Sequence, residues 1–458
     1  MGLFRGAGSL MRGSMKASFL TGSMIASAIN NAKTKKEIRN IYKSATEANY
    51  QSRAVAVLPS LNKQQLLLTS NDPNDNDVYN YPIETSTPAI DFIWGTNNTL
   101  DGLLVSGGRN KDRVKALMPF VRKSQNTGMP LIAIYSGDFE LETMLFDEGV
   151  AHEFVTRSGV YYDVFRGIPI ADIAYLLYET MPSSMASPSA EPLLQALVEV
   201  VVRVEGTVVI QKLAEFPIHN LKDKLDELYK TGAMTADDYH EINHNYMAGS
   251  SELNNVRNFL KRLNMQMEGV YGKPKKSICN IKKMINQKGI AAICIGNANN
   301  ELLVSLVMNH LQYLKYQGRE FAILLDDLAI SKHPKSYDLL HNRIYAISHK
   351  DFVSSIYGGE RSGEEAFTEI MGFISTVVLF GHSSSASCKK WSEFLGTYHK
   401  IRIKMNISQS RGLLTSNNTS GISVDEADEP RIRAETLLKI PSGVACISQS
   451  EGILLAEV

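Results

Sequence analysis

The decapeptide FAILLDDLAI at 321–330 sets five apolar residues directly before two carboxylates, Asp326 and Asp327. An unbroken apolar run of this length reads as a strand buried on both faces, the environment of a parallel sheet. The acids then sit at the strand's C-terminal end, where open α/β sheets bind their ligands. Runs of the same kind recur at 102–106 (GLLVS), 130–135 (PLIAIY), 289–295 (GIAAICI), 343–347 (RIYAI) and 376–380 (TVVLF). Shorter strand patterns lie at 53–58 and 65–69, before the turn-rich NDPNDND at 71–77. The 102–135 segment reads strand, glycine turn, helix, strand, which is a βαβ unit.

Between these runs the pattern changes. After PSSMASP at 182–188, apolar residues recur at spacings of three and four for about a hundred residues, as in EPLLQALVEVVVR at 191–203 and NLKDKLDELY at 220–229. A further helix is expected from about 300 to 317, leading into the Asp-Asp strand. The end of the chain, 443–448 and 452–457, has the spacing of a hairpin. The expected organisation is a basic arm at 1–50, a first α/β part at 51–180, an all-α insert at 181–286 and a second α/β part at 287–458.

The chain has 458 residues, of which 44% are hydrophobic and 21% charged, and its formal net charge is zero. No global field draws it to nucleic acid or membrane, so any such contact needs a local patch. The N-terminal arm is one such patch: Arg5, Arg12, Lys16, Lys33, Lys35, Lys36, Arg39 and Lys43 face only Glu37 and Glu47. It suits an exposed, partly helical arm or docking to an acidic surface. No apolar run approaches the roughly 20 residues of a membrane span. The four cysteines lack CxxC spacing, which fits a reducing cytoplasm.

Three motifs bear chemistry. In P-loop ATPases an acid at the end of a strand like 321–326 holds Mg²⁺ and a second acid orients the attacking water. The partner such acids need is a phosphate-cradling turn, and SGGRNKDR at 106–113 is the nearest candidate. Gly107 and Gly108 supply the turn, Arg109 adds charge and Lys111 stands at the head of the helix. Asp112 takes the place of the Ser/Thr, and no glycine directly precedes the lysine, so the strict motif fails. HEINH at 240–244 spells the zinc-peptidase pattern: on a helix His240 and His244 share a face, with Glu241 as base. No third ligand follows; Met247, Ser250 and Asn264 occupy the places one would need. GVYGK at 269–273 imitates a phosphate loop but runs into Pro274 and reads as a basic surface turn. The serines of HSSSASC at 382–388 read as helix caps.

Taken in order, these elements resemble the type IV coupling proteins, RecA-like ATPases of conjugation and type IV secretion. GIAAICI, the helix from 300 and FAILLDDLAI look like that family's run into its Mg²⁺-binding acids. FVSSIYG at 352–358 resembles its QLxxxYG segment, TVVLFG at 376–381 with WSEFLG at 391–396 its strand-then-xxLG element, and RAETLLKIP at 433–441 its closing LxxLPxG. The resemblance covers roughly 89–458. It implies a RecA-like, mostly parallel sheet with an inserted all-α domain, hexamer formation, secretion or conjugation partners and a DNA or protein cargo. It also implies ATP and Mg²⁺ as cofactors, with Lys111 on the phosphates, Asp326 on the metal and Asp327 positioning water. The altered turn and the Asp-Asp pair in place of Asp-Glu point to a degenerate pseudo-ATPase serving assembly or cargo recruitment. An active translocase and a zinc metallopeptidase are the alternatives. A cytoplasmic location is expected, peripheral to the membrane through the basic arm.

Overall fold

The computed structural model of the protein describes residues 24–25, 27–28, 35–53, 55–57, 102–136, 140–147, 154–156, 160–274, 278–296, 300–327, 344–357, 363–411, 416–449 and 452–458. The strand expected at 65–69 and the loop at 71–77 lie outside them.

Fourteen strands are described. They are β1 (Val55–Val57), β2 (Gly102–Ser106), β3 (Leu131–Tyr135), β4 (Phe154–Thr156), β5 (Tyr161–Tyr162), β6 (Ile278–Cys279), β7 (Ile290–Cys294), β8 (Ala322–Asp326), β9 (Tyr345–His349), β10 (Ile374–Leu379), β11 (Thr397–Arg411), β12 (Ser416–Pro430), β13 (Val444–Gln449) and β14 (Gly452–Glu457). Ten form one sheet in the order β1-β14-β13-β10-β2-β9-β8-β3-β7-β4. Only the two pairings of β13, with β10 and with β14, are antiparallel. All others are parallel, as continuous apolar runs require when both faces are covered. β9 lies between β2 and β8, so one strand separates the glycine turn from the Asp-Asp pair.

Alternation along each strand divides the core. Leu103, Val105, Ala133, Ala292, Ala322, Leu324 and Ala346 share one buried face with Val114, Leu117, Met118 and Val121 of helix α1 (Asn110–Thr127). Leu104, Ile132, Ile134, Ile293, Ile323, Leu325 and Ile347 face the other way. They pack into one continuous core with the helical middle of the chain. That middle runs through α2 (Ile170–Thr180), α3 (Ala190–Glu205), α4 (Leu221–Lys230), α5 (Ala236–Gly249), α6 (Leu253–Tyr271), α7 (Ile281–Asn286) and α8 (Glu301–Tyr316). Leu193, Leu197, Val201, Phe259 and Leu263 are fully buried there. Thr235 caps α5 by accepting the Asp238 N–H, and Gly232 ends the preceding turn at φ +73°.

Two features depart from the sequence reading. The 269–273 segment is not a surface turn throughout: α6 continues to Tyr271, and the chain leaves the helix at Gly272, at φ +73°, and Lys273. The apolar face of α6 outweighs the glycine at 269, which interrupts no packing contact. The second difference is the long two-stranded hairpin β11–β12, paired from Thr397–Pro430 to Arg411–Ser416, which the periodicity at 397–430 does not announce. A helix, Lys35–Arg53, docks against its base. There Asn49 donates to the Ile401 carbonyl at 2.8 Å and accepts the Ile401 N–H at 2.7 Å. Ser52 Oγ donates to the His399 carbonyl. Residues 35–50 of the basic arm are thus anchored on the hairpin, and residues 1–23 lie outside the described residues.

Candidate functional site

The C-terminal ends of β2, β8, β9 and β10 converge as the parallel order demands. Asp326 is the last residue of β8 and fully buried, in register with Tyr135 on β3 and Ser348 on β9. Asp327 follows in the left-handed region at φ +55°, a conformation uncommon outside glycine though tolerated best by Asp and Asn. That turn separates the two carboxylates. The Asp327 N–H donates to the Ser348 carbonyl at 2.8 Å, and its Oδ1 lies 3.7 Å from His349 Nε2.

His349 ends β9 and is 8% exposed. The Asp351 N–H donates to its Nδ1 at 2.9 Å, which leaves the ring proton on Nε2, the nitrogen facing Asp327. Burial lowers its pKa, a cause that outweighs the opposing pull of Asp327.

The glycine turn is short. β2 ends at Ser106 and α1 begins at Asn110, leaving only Gly107, Gly108 and Arg109 between them. Both glycines have positive φ, +86° and +66°. Their amides already have partners: Gly107 N–H donates to the His349 carbonyl at 3.1 Å and Gly108 N–H to the Gly381 carbonyl at 2.9 Å. The turn is also tightly walled. A Cβ at Gly107 would lie 2.7 Å from the His382 ring, and one at Gly108 2.6 Å from Phe380 Cβ.

Arg113, one turn into α1 and 4% exposed, closes the arrangement. Its Nη1 donates to the Gly108 carbonyl at 3.1 Å, its Nη2 to Asn110 Oδ1 at 2.9 Å and its Nε to Ser348 Oγ at 3.3 Å. One guanidinium thereby ties the turn to the strand beside Asp326. Lys111 and Arg109 are exposed. Asp112 is buried: Arg109 donates to it through Nε at 3.0 Å and through Nη2, and Ser442 donates from 3.2 Å. Burial pushes the Asp112 carboxyl up, but these hydrogen bonds and the charges of Arg109 and Lys115 prevail and hold it below its ordinary value.

Beneath the turn lies a serine–histidine pair that belongs to no sequence motif. Ser106 Oγ is 2.8 Å from His382 Nε2, and His382 Nδ1 is 2.7 Å from the Phe380 carbonyl. A carbonyl only accepts, so Nδ1 carries the proton and the Ser106 hydroxyl donates to Nε2. Ser106 Oγ also accepts the Phe352 N–H. Burial lowers the His382 pKa and keeps the ring neutral. The serine run does cap a helix: Ser384 Oγ accepts the Ser387 N–H at the start of Ser385–Phe394. Strand ends located by hydrophobic pattern would have found His349 and His382, because both follow an apolar run within two residues.

The structure therefore brings Gly107, Gly108, Asp326 and Asp327 to one edge of the sheet, linked through Ser348, His349 and Arg113. It leaves Lys111 and Arg109 on the outer surface of the turn. His240, Glu241 and His244 lie exposed on α5. Among the described residues, no group of three or more His, Cys, Asp and Glu is placed to hold a metal. Nor is any helix among them long and apolar enough to cross a membrane.

No family model matches the chain, and no curated protein does. Solved structures do. Plasmid coupling protein TrwB in complex with ADP and Mg²⁺ superposes at TM-score 0.50 with 14% identity, over 78% of this chain and 84% of that one. TrwB with a non-hydrolysable ATP analogue gives 0.49 and 16%, with the same coverage. VirB4 of Thermoanaerobacter pseudethanolicus gives 0.43 and 11%, over 80% of this chain and 92% of that one. Low identity restricts the likeness to architecture, and on that level the chain shares the RecA-like, mostly parallel-sheet fold of the coupling protein TrwB.

Proposed function

We propose that this chain is a coupling-protein-like subunit of a type IV secretion or conjugation system, acting in assembly or cargo recruitment without hydrolysing ATP. The observation that carries the reading is the engagement of both turn amides, Gly107 on His349 and Gly108 on Gly381. A phosphate loop holds its ligand with backbone N–H groups left unsatisfied by the protein, over an eight-residue G-x-x-x-x-G-K-[ST] segment. Here three residues span strand to helix, and Arg113 fastens the turn's own Gly108 carbonyl. These engagements argue against a triphosphate in that turn. Asp326 and Asp327 at the end of β8 support the reading that this edge descends from a nucleotide site, with the two acids in the places of the metal-binding and water-orienting carboxylates. In this reading helices α3 to α7 belong to an inserted all-α domain spanning 181–286, and the subunit works in an oligomer.

The test is a titration of purified protein with a fluorescent ATP analogue, with and without Mg²⁺. The expected result is no saturable binding into the millimolar range. Micromolar affinity that needs Mg²⁺ and disappears in Lys111→Ala would refute the reading and favour an active translocase using Asp326 and Asp327.

A further inference from the structure

A small pocket at the opposite edge of the sheet collects positive charge from three separate parts of the chain. Arg166 comes from the turn before α2, Lys282 from the first turn of α7, and Arg319 from the connection between α8 and β8. Arg319 precedes the first residue of β8, whereas Asp326 is its last, so the strand separates this pocket from the glycine turn. Its volume is about 130 Å³. That is several times the roughly 10–15 Å³ that one water needs by the same measure.

The wall is complementary to an anion. Besides the three cations it consists of Gly167, Ile168, Pro169, His310, Tyr313, Leu314 and Gln317, with no carboxylate. Two acids lie close by: Asp163 accepts the Phe165 N–H and feels the charge of Arg166, though burial raises its pKa, and Asp172 accepts the Tyr313 hydroxyl at 2.7 Å. Two of the cations are held by neutral groups. Lys282 Nζ donates to the Gly167 carbonyl at 3.1 Å, and Arg319 Nη1 donates to Asn286 Oδ1 at 2.7 Å. These contacts orient the side chains, and among the described residues neither has a carboxylate as ion-pair partner. His310, 4% exposed, anchors the floor through Tyr162, whose hydroxyl is 2.5 Å from Nδ1. α2 adds the positive end of its dipole, since it starts at Ile170 beside Pro169.

We propose that this pocket binds the phosphate group of a small soluble phosphate monoester. Three cations suit a dianion better than a single carboxylate, and two arginine forks with one lysine supply both directional and point-charge contacts. The site stands apart from the nucleotide reading and does not depend on it.

Equilibrium dialysis of the full chain with glycerol phosphate, at constant ionic strength, tests this. One-to-one saturable binding is expected, displaced by inorganic phosphate and unchanged in Lys111→Ala. Lys282→Gln or Arg319→Gln should weaken it about tenfold or more. Hydrogen exchange on the wild-type protein gives a reading that does not depend on how a variant folds. Added glycerol phosphate should slow exchange in 166–172 and 281–286. Absence of saturable binding, retention of full affinity in both variants, loss in Lys111→Ala, or protection confined to 107–113 would each overturn the proposal.

Discussion

His310, on the inner side of α8, is 4% exposed with Tyr162 as its polar partner, and burial depresses its pKa to about 3 from an ordinary 6.5. A neutral ring in the folded state and a titrating ring in the unfolded state link stability to pH. The folded pKa is the lower of the two. Between pH 6.5 and 3 the unfolded chain therefore binds the extra proton, and stability falls as pH falls. Above pH 6.5 the ring is neutral in both states and contributes no slope. At pH 5 the gap of 1.5 units to the unfolded value costs about 2 kcal/mol, from about 1.4 kcal/mol per unit. His349 and His382 are shifted in the same direction by burial, so the wild-type slope alone does not isolate His310. The difference from His310→Gln does. Urea-unfolding midpoints measured from pH 7.5 to 5 should fall more steeply for wild type, with the curves converging by about 2 kcal/mol. Parallel curves would refute the claim that His310 is held neutral by burial.

Gly107→Ala should destabilise the protein by at least about 1–2 kcal/mol for the left-handed backbone alone. Contact of the new Cβ with the His382 ring adds to this, and chemical denaturation measures the sum. Gly206→Ala, also at positive φ (+72°) but with open space around it, should show the backbone cost alone. Asn49→Ala removes both side-chain hydrogen bonds to Ile401, so hydrogen exchange of the Ile401 amide should speed up at a local cost of about 1–3 kcal/mol.

The hydrophobic pattern located the sheet well because strand and helix periods are local properties of the chain. β2, β3, β7, β8 and β10 lie where the apolar runs place them, and β13–β14 is the hairpin that its spacing suggests. β9 is offset toward His349 from the run at 343–347, because residues that complete a parallel pairing need not be apolar. The hairpin β11–β12 escaped notice for a different reason. A two-stranded ribbon outside the main sheet has little buried face to impose alternation, and its docking partner is a helix more than three hundred residues away in sequence.

For the candidate site the same division holds. Asp326 and Asp327 announce a strand end by their own position after an apolar run, and Gly107-Gly108 announces a tight turn. Whether that turn can hold phosphate depends on what its amides and carbonyl meet, and those partners are His349, Gly381 and Arg113. The strand order puts β9 and β10 on either side of β2, which brings the His349 and Gly381 carbonyls to the turn. By itself the sequence determined which strands exist and what chemistry stands at their ends. Only the tertiary structure decided which ends are neighbours. Hydrogen-bond partners across a parallel sheet are set by strand order, and strand order leaves no periodic trace in the chain.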